Sequence, residues 1–288
     1  MPYAIEYCDE KGKKTFVIEN GKIVYYSCAD PYMRLRRSSL TGFKLQPGRA
    51  FYAPHLPTLK VDERMAAIQK ILQRGGTLVV LTCQVTRMSS LDKAFSIVRE
   101  AMAGSPIDYM IGVSIDLSQI SQRLILDCVK RKVPFIQFRF SDWASVFKEP
   151  WEWWREASLG SGLLFIPEWQ GEMDGKKEKA VKRGYRDWTV LARQLNLPTA
   201  SPLNQEIPLS AGQMKTLGIY PIKGALTVGS DCDYILYPES LEPTSVNGYD
   251  DTAPCIVVVR GHVREMDAGG GRELKVSMPN RFTGYWEC

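Results

Sequence analysis

Hydrophobic and polar positions fall into three regimes along the chain. In the first fifty residues short apolar runs are broken by turn signals: residues 15–18 lead into Asn20-Gly21, a hairpin turn, and then into residues 22–26. Residues 34–39 are polar and basic and predict a loop, and Pro47-Gly48 punctuates the chain before residues 51–57. From there the period changes. Met65, Ile68, Ile71 and Leu72 recur at helical spacing, Gly75-Gly76 stops them, and residues 77–82 form a continuous β-rich run of the kind buried on both faces. The same alternation continues with helices at 91–102, 120–131, 143–157 and 178–195 and strands at 109–115, 133–140 and 163–166. Ser89 or Ser90 can cap the first of these helices, and Pro150 interrupts the third. The last seventy residues return to β character, with strands at 233–237 and 256–260 and turns at Gly261 and Gly269–Gly271.

Strands alternating with helices predict βαβ units on a mainly parallel sheet, either an open doubly wound sheet or part of a barrel, and periodicity does not choose between them. The two β-rich ends are alike in class and are expected to pack together. Composition narrows the setting. With 44% apolar and 24% charged residues, 288 residues can bury a core without staples and are not a disordered chain. Seven cysteines without a Cys-x-x-Cys pair predict free thiols in a reducing cytoplasm. No apolar run approaches the ~18 residues of a membrane span, and the N-terminus shows no signal-peptide pattern. The formal net charge of +5 is spread along the chain rather than gathered in a tail.

The most specific stretch is Leu217-Gly218-Ile219-Tyr220-Pro221-Ile222-Lys223-Gly224, continuing to Gly229-Ser230-Asp231-Cys232-Asp233. It resembles the tail signature of the metal-dependent amidohydrolases, in the hydantoinase and dihydropyrimidinase branch. Val258-Val259-Arg260-Gly261-His262-Val263, Ile18-Glu19-Asn20-Gly21-Lys22-Ile23, Arg74-Gly75-Gly76-Thr77 and the ending from Gly271-Arg272 through Arg281-Phe282 are similar to further segments of that family. So is Pro47-Gly48-Arg49-Ala50-Phe51-Tyr52-Ala53-Pro54-His55. The resemblance implies a TIM-barrel-like domain over residues 51–217, carrying a small composite β-sandwich from residues 1–50 and 218–288. It also implies a metal centre of two histidines in H-x-H, a carboxylated lysine and further histidines.

That centre is mostly missing. The first H-x-H position is Ala53 and the second is His55; the lysine position is Gln137, which cannot form a carbamate; a later histidine position is Pro167. The chain has two histidines, His55 and His262, too few for the family's set. Pro54 through Leu217 spans 164 residues, against about 250 for a full (β/α)₈ barrel. Four strands are evident there, with residues 199–203 a possible remnant of a fifth. The expectation is therefore a partial barrel: an amidohydrolase-like protein that has lost its metal centre and serves in binding or assembly. No metal or cofactor is expected. The alternative is a divergent hydrolase of cyclic amides or ureides, which would need zinc and an unconventional site.

His55, Arg139, Asp142 and Glu168 lie at or just after strand ends, where α/β sheets place ligands, and are the ligand-binding candidates. Solvated or ion-paired loop residues are the competing reading for each. Trp143, Trp151, Trp153 and Trp154 form an aromatic cluster, but three tryptophans in four positions cannot all face one core. The basic run 176–186 offers a third reading, a nucleic-acid binder, although a solvated helix face is its usual meaning. The expected partner is a second copy or another protein covering the open barrel face, not a membrane or nucleic acid.

Overall fold

The computed structural model describes the chain except residues 10–11, 29–33, 87–89, 172–174, 206, 240–244, 247–248, 251–255, 265–269 and 277–288. Ser89, Gly269, Arg281 and Phe282 thus lie outside the described residues. The chain opens with β1 (Tyr3–Asp9), β2 (Gly12–Glu19), β3 (Lys22–Ser27), β4 (Arg36–Ser39), β5 (Phe43–Pro47) and β6 (Arg49–Tyr52). The α/β part follows: α1 (Val61–Gln73), β7 (Gly76–Val85), α2 (Leu91–Ala101), β8 (Asp108–Asp116), α3 (Gln122–Lys130), β9 (Phe135–Phe140), α4 (Trp143–Val146), α5 (Trp151–Ser158), β10 (Leu164–Trp169), α6 (Gly175–Gln194) and α7 (Ala211–Thr216). The chain closes with β11 (Tyr234–Pro238), β12 (Ser245–Val246), β13 (Tyr249–Asp250), β14 (Ile256–Val259) and β15 (His262–Val263). Among the described residues no helix is long and apolar enough to cross a membrane.

The central sheet runs β10-β9-β8-β7-β6, all parallel and in chain order. A doubly wound sheet reverses strand order at a switch point and places helices on both faces. Here the order never reverses. Residues from α1, α2, α3, α5 and α6 all join one side of the sheet, around Val79, Leu81, Val113, Ile115, Ile136 and Phe138. That arrangement is a segment of a (β/α) barrel, and it settles the choice that periodicity left open. The fifth strand is β6, ahead of the four evident in the sequence. Residues 199–203 contribute only a bridge from Thr199 to Phe165.

The other face, which in a closed barrel looks inward, is covered by the chain itself. Ala50, Leu78, Val80, Met110, Phe135, Leu164 and Ile166 pack against Ala200, Leu209, Met214, Leu217, Ile219, Leu274 and Val276. Each sheet edge is occupied as well: the Leu209 N–H donates to Ala50 O (2.8 Å) beside β6, and the Phe165 N–H donates to Pro198 O (2.9 Å) beside β10. Prolines at 198 and 208 end each contact without extending the ladder. The inner face expected from sequence to be open is thus covered by the chain's own residues, and each sheet edge is met at a single point.

Two mainly antiparallel four-stranded sheets and the short β12–β13 pair complete the fold. One has the order β3-β2-β1-β4. The other, β15-β14-β11-β5, joins the two ends of the chain, because β5 pairs with β11. Ile5, Phe16, Ile18 and Ile23 from one sheet meet Tyr234, Leu236 and Val258 from the other in a shared core. Residues 36–39 are a strand, not the loop that their polarity predicted. They form an exposed edge parallel to β1, where charge is tolerated, and Arg37 pairs with Glu6 at 2.7 Å.

Candidate functional site

Strand alternation divides each parallel strand into outward and inward residues. At the N-terminal half the inward residues are apolar apart from Asp108 at the start of β8. Toward the C-terminal ends they turn polar: Tyr52 on β6, Thr82 and Gln84 on β7, Ser114 and Asp116 on β8, Gln137 and Arg139 on β9, and Glu168 on β10. The ladder aligns Ser114 with Gln84 and Gln137, and Arg139 with Asp116 and Glu168. Below this layer Phe135 lies across Gly112, where any Cβ would come within 2.2 Å of the ring.

The layer is hydrogen-bonded in two groups. Tyr52 donates its hydroxyl to Gln137 Oε1 at 2.6 Å, with both residues buried. Arg139 donates to Gln84 Oε1 at 2.6 Å and pairs with Asp116 at 3.1 Å. Burial raises the Glu168 carboxyl above its usual range, and Arg139 opposes that shift. The Tyr52 phenol is pushed up, first by burial and then by the charge of Glu168. The hydroxyl of Ser114 and the Arg139 Nε are buried and make no hydrogen bond among the described residues. A cleft of about 300 Å³ reaches Arg139 and Asp116 from the strand ends, lined also by Ser118, Ser141, Glu149 and Gln170.

The candidates read from sequence divide accordingly. Gln137, Arg139 and Glu168 come together on the inward layer. Pro167 does not: it pairs in register with Phe138 and points with it into the outer, helix-facing side. Ala53 also belongs to the outer core. The inward positions at these strand ends are Tyr52 and Glu168, one residue away from the aligned ones. His55 is exposed in the turn after β6, and its Nδ1 lies 3.2 Å from Gln205 Oε1. Asp142 caps α4, accepting from the N–H groups of Ala144 and Ser145, each at 3.1 Å. Sequence reasoning missed Tyr52, Gln84, Ser114 and Asp116. The signal was present as polar residues at alternate positions late in each buried strand.

The inner layer does not suit a divalent metal. Its carboxylates, Asp116 and Glu168, both stand in register with the Arg139 guanidinium, and no imidazole lies on this face. Among the described residues no group of three or more His, Cys, Asp or Glu side chains could hold a metal ion.

A chain-ordered parallel sheet with helices on one side, joined to a sandwich built from both chain ends, makes a five-stranded (β/α) barrel segment with a composite β-sandwich. Solved structures share this fold. The chain is similar to a D-hydantoinase structure, with a TM-score of 0.63 and 14% identity over 95% of this chain and 97% of that one. It is similar also to dihydropyrimidinase from Brevibacillus agri NCHU1002 (TM-score 0.52, 15% identity, 96% and 99% covered). Atrazine chlorohydrolase from Arthrobacter aurescens TC1, complexed with zinc, matches with a TM-score of 0.53 and 10% identity over 91% and 94%. No protein-family model matches the sequence, and no curated protein matches it.

Proposed function

We propose that this protein is an amidohydrolase-like protein without a metal centre, acting by binding or assembly rather than by metal-dependent hydrolysis. The observation that carries the reading is Arg139. A guanidinium beside the two carboxylates at the C-terminal ends of the strands supplies the positive charge that a dication would supply, and repels a dication at the same place. The orphaned hydroxyl of Ser114 favours a small polar ligand on the same layer, because buried polar groups are ordinarily hydrogen-bonded. For assembly, the apolar surface on offer is the helix layer, where Trp153 is 66% exposed and Leu159 71%.

A second reading, a hydrolase of cyclic amide or ureide C–N bonds, rests on Glu168. A half-buried carboxyl with a raised pKa on the inner face could serve as a general base. Metal analysis of the purified protein, with a turnover assay on hydantoin, separates the two. Substoichiometric zinc and manganese and no turnover support the first reading. Stoichiometric metal, with turnover lost in His55→Ala, overturns it. Light scattering tests assembly: a homodimer supports it, and a monomer that recovers no partner removes it.

A further inference from the structure

The chain's charge is less evenly distributed than its composition suggests. Helix α6 holds seven Lys and Arg residues against two Asp and Glu, an excess of five that equals the formal net charge of the whole chain. The remainder is neutral. Lys179, Lys182, Arg183, Arg186 and Arg193 are exposed along the helix, while Val181, Trp188 and Ala192 bury its other side. At 1.5 Å per residue the stripe is about 20 Å long. The two acids offset it weakly: Glu178 pairs with Lys182 at 2.6 Å, and Asp187 lies 3.8 Å from Arg183, both exposed pairs in high dielectric.

Beside the stripe lies a groove of about 430 Å³ between α4 and the first half of α6, lined by Trp143, Phe147 and Trp169, with Lys177 and Arg183 among its other walls. Trp143 and Phe147 stack at 5.8 Å and 23°, and Phe147 is 41% exposed. Gly184 makes the groove possible, since a Cβ there would come within 2.2 Å of the Trp143 indole nitrogen. Asp142, also on the wall, already has its carboxylate committed to two backbone N–H groups.

We propose that α6 and this groove form a binding surface for single-stranded nucleic acid, with phosphates along the cationic stripe and a base stacked on Phe147. Cations beside exposed aromatic rings are the combination that such ligands use. An acidic peptide would engage the charges and leave the rings without a role, and a duplex keeps its base faces stacked away from them. The surface is formed by the helix layer and does not depend on the inner-layer reading.

The test is fluorescence anisotropy of the full chain with a labelled oligouridylate of about twelve nucleotides, against a duplex of equal length. Binding of the single strand in preference to the duplex is expected, weakening about tenfold or more between about 50 and 200 mM salt. The triple change Lys182→Glu, Arg183→Glu, Arg186→Glu should abolish it. Phe147→Ala should weaken it at least about fivefold without altering the salt slope, with circular dichroism confirming that each variant folds. No binding at low salt, equal affinity for strand and duplex, or an unaffected Phe147→Ala variant would each overturn the proposal.

Discussion

The ammonium of Lys223 lies 2.6 Å from Asp108 Oδ2, and both side chains are buried to 1% exposure or less. Asp108 is the first residue of β8, at the N-terminal end of the parallel sheet, and Lys223 follows the segment that covers the inner face. Lys223 also meets Asp233 at 2.5 Å and Asp231 at 3.2 Å. Arg260 reaches Asp108 at 3.3 Å, and Arg272 pairs with Asp231. Three carboxylates face Lys223, Arg260 and Arg272, with Arg264 also within electrostatic reach, and the cluster ties barrel segment, sandwich and tail together. Burial alone would lower the Lys223 pKa, but the three carboxylates outweigh it and hold the value above the usual lysine range. A raised lysine contributes stability below its unfolded pKa and loses it only as pH climbs through the raised value. Burial raises the Asp233 carboxyl above its usual range, with Lys223 opposing that shift.

Removing one member leaves the others buried and uncompensated. Lys223→Met is expected to cost about 3–5 kcal/mol, the range for breaking a buried ion pair from one side. Urea unfolding followed by circular dichroism measures it, and a loss under about 1 kcal/mol would show that the cluster holds nothing together.

The same cluster shows how far the sequence was legible. The spacing of Lys223-Gly224 and Gly229-Ser230-Asp231-Cys232-Asp233 carried the family resemblance, and the helix–strand alternation of residues 61–195 carried the α/β core. Neither could show that Asp108, at the head of an apolar run, is the acid those residues meet, because that pairing crosses the whole domain. Helix α7 was missed although Ser210 and Gln213 form a capping box at its start; six residues are too few for periodicity to register. Pro167 was aligned one residue away from the inward position, and a shift of one residue in a strand reverses the face.

The covering segment should act as core. Leu217 and Ile219 are fully buried against the inner face. Leu217→Ala is expected to destabilise by about 2–5 kcal/mol, as for other large-to-small core changes. A near-neutral result in chemical denaturation would mean that the segment is not needed to cover the sheet.

Gly184 should tolerate no side chain. A Cβ there collides with the Trp143 indole, which is held edge-on to Tyr185 at 5.0 Å and to Phe140 at 4.5 Å. Gly184→Val is expected to cost about 1–3 kcal/mol through overpacking and to alter the near-ultraviolet circular dichroism of the tryptophans. An unchanged spectrum and melting temperature would show that the indole moves aside freely.

If no metal supports the fold, chelation should leave the melting temperature unchanged, and added zinc should not raise it. A ligand that binds only the native state raises apparent stability by mass action, so a zinc-dependent rise in scanning fluorimetry, lost in His55→Ala, would place a metal at the turn after β6.

Glu168 supplies a pH signature with a definite sign. Its carboxyl pKa is raised by burial, with Arg139 opposing, so the native state binds this proton more tightly than the unfolded chain does. Stability from this residue is therefore highest when it is protonated, and falls as pH rises from the ordinary glutamate range through the raised value. Glu168→Gln keeps the shape and removes the titration. Arg139 retains Asp116 at 3.1 Å, so its charge stays paired in the variant. Relative to the parent, the variant should gain melting temperature at neutral pH, and the gain should shrink as pH falls toward the glutamate range. A difference that stays constant with pH, or grows in acid, would show instead that the Glu168–Arg139 attraction outweighs the cost of burying the carboxylate.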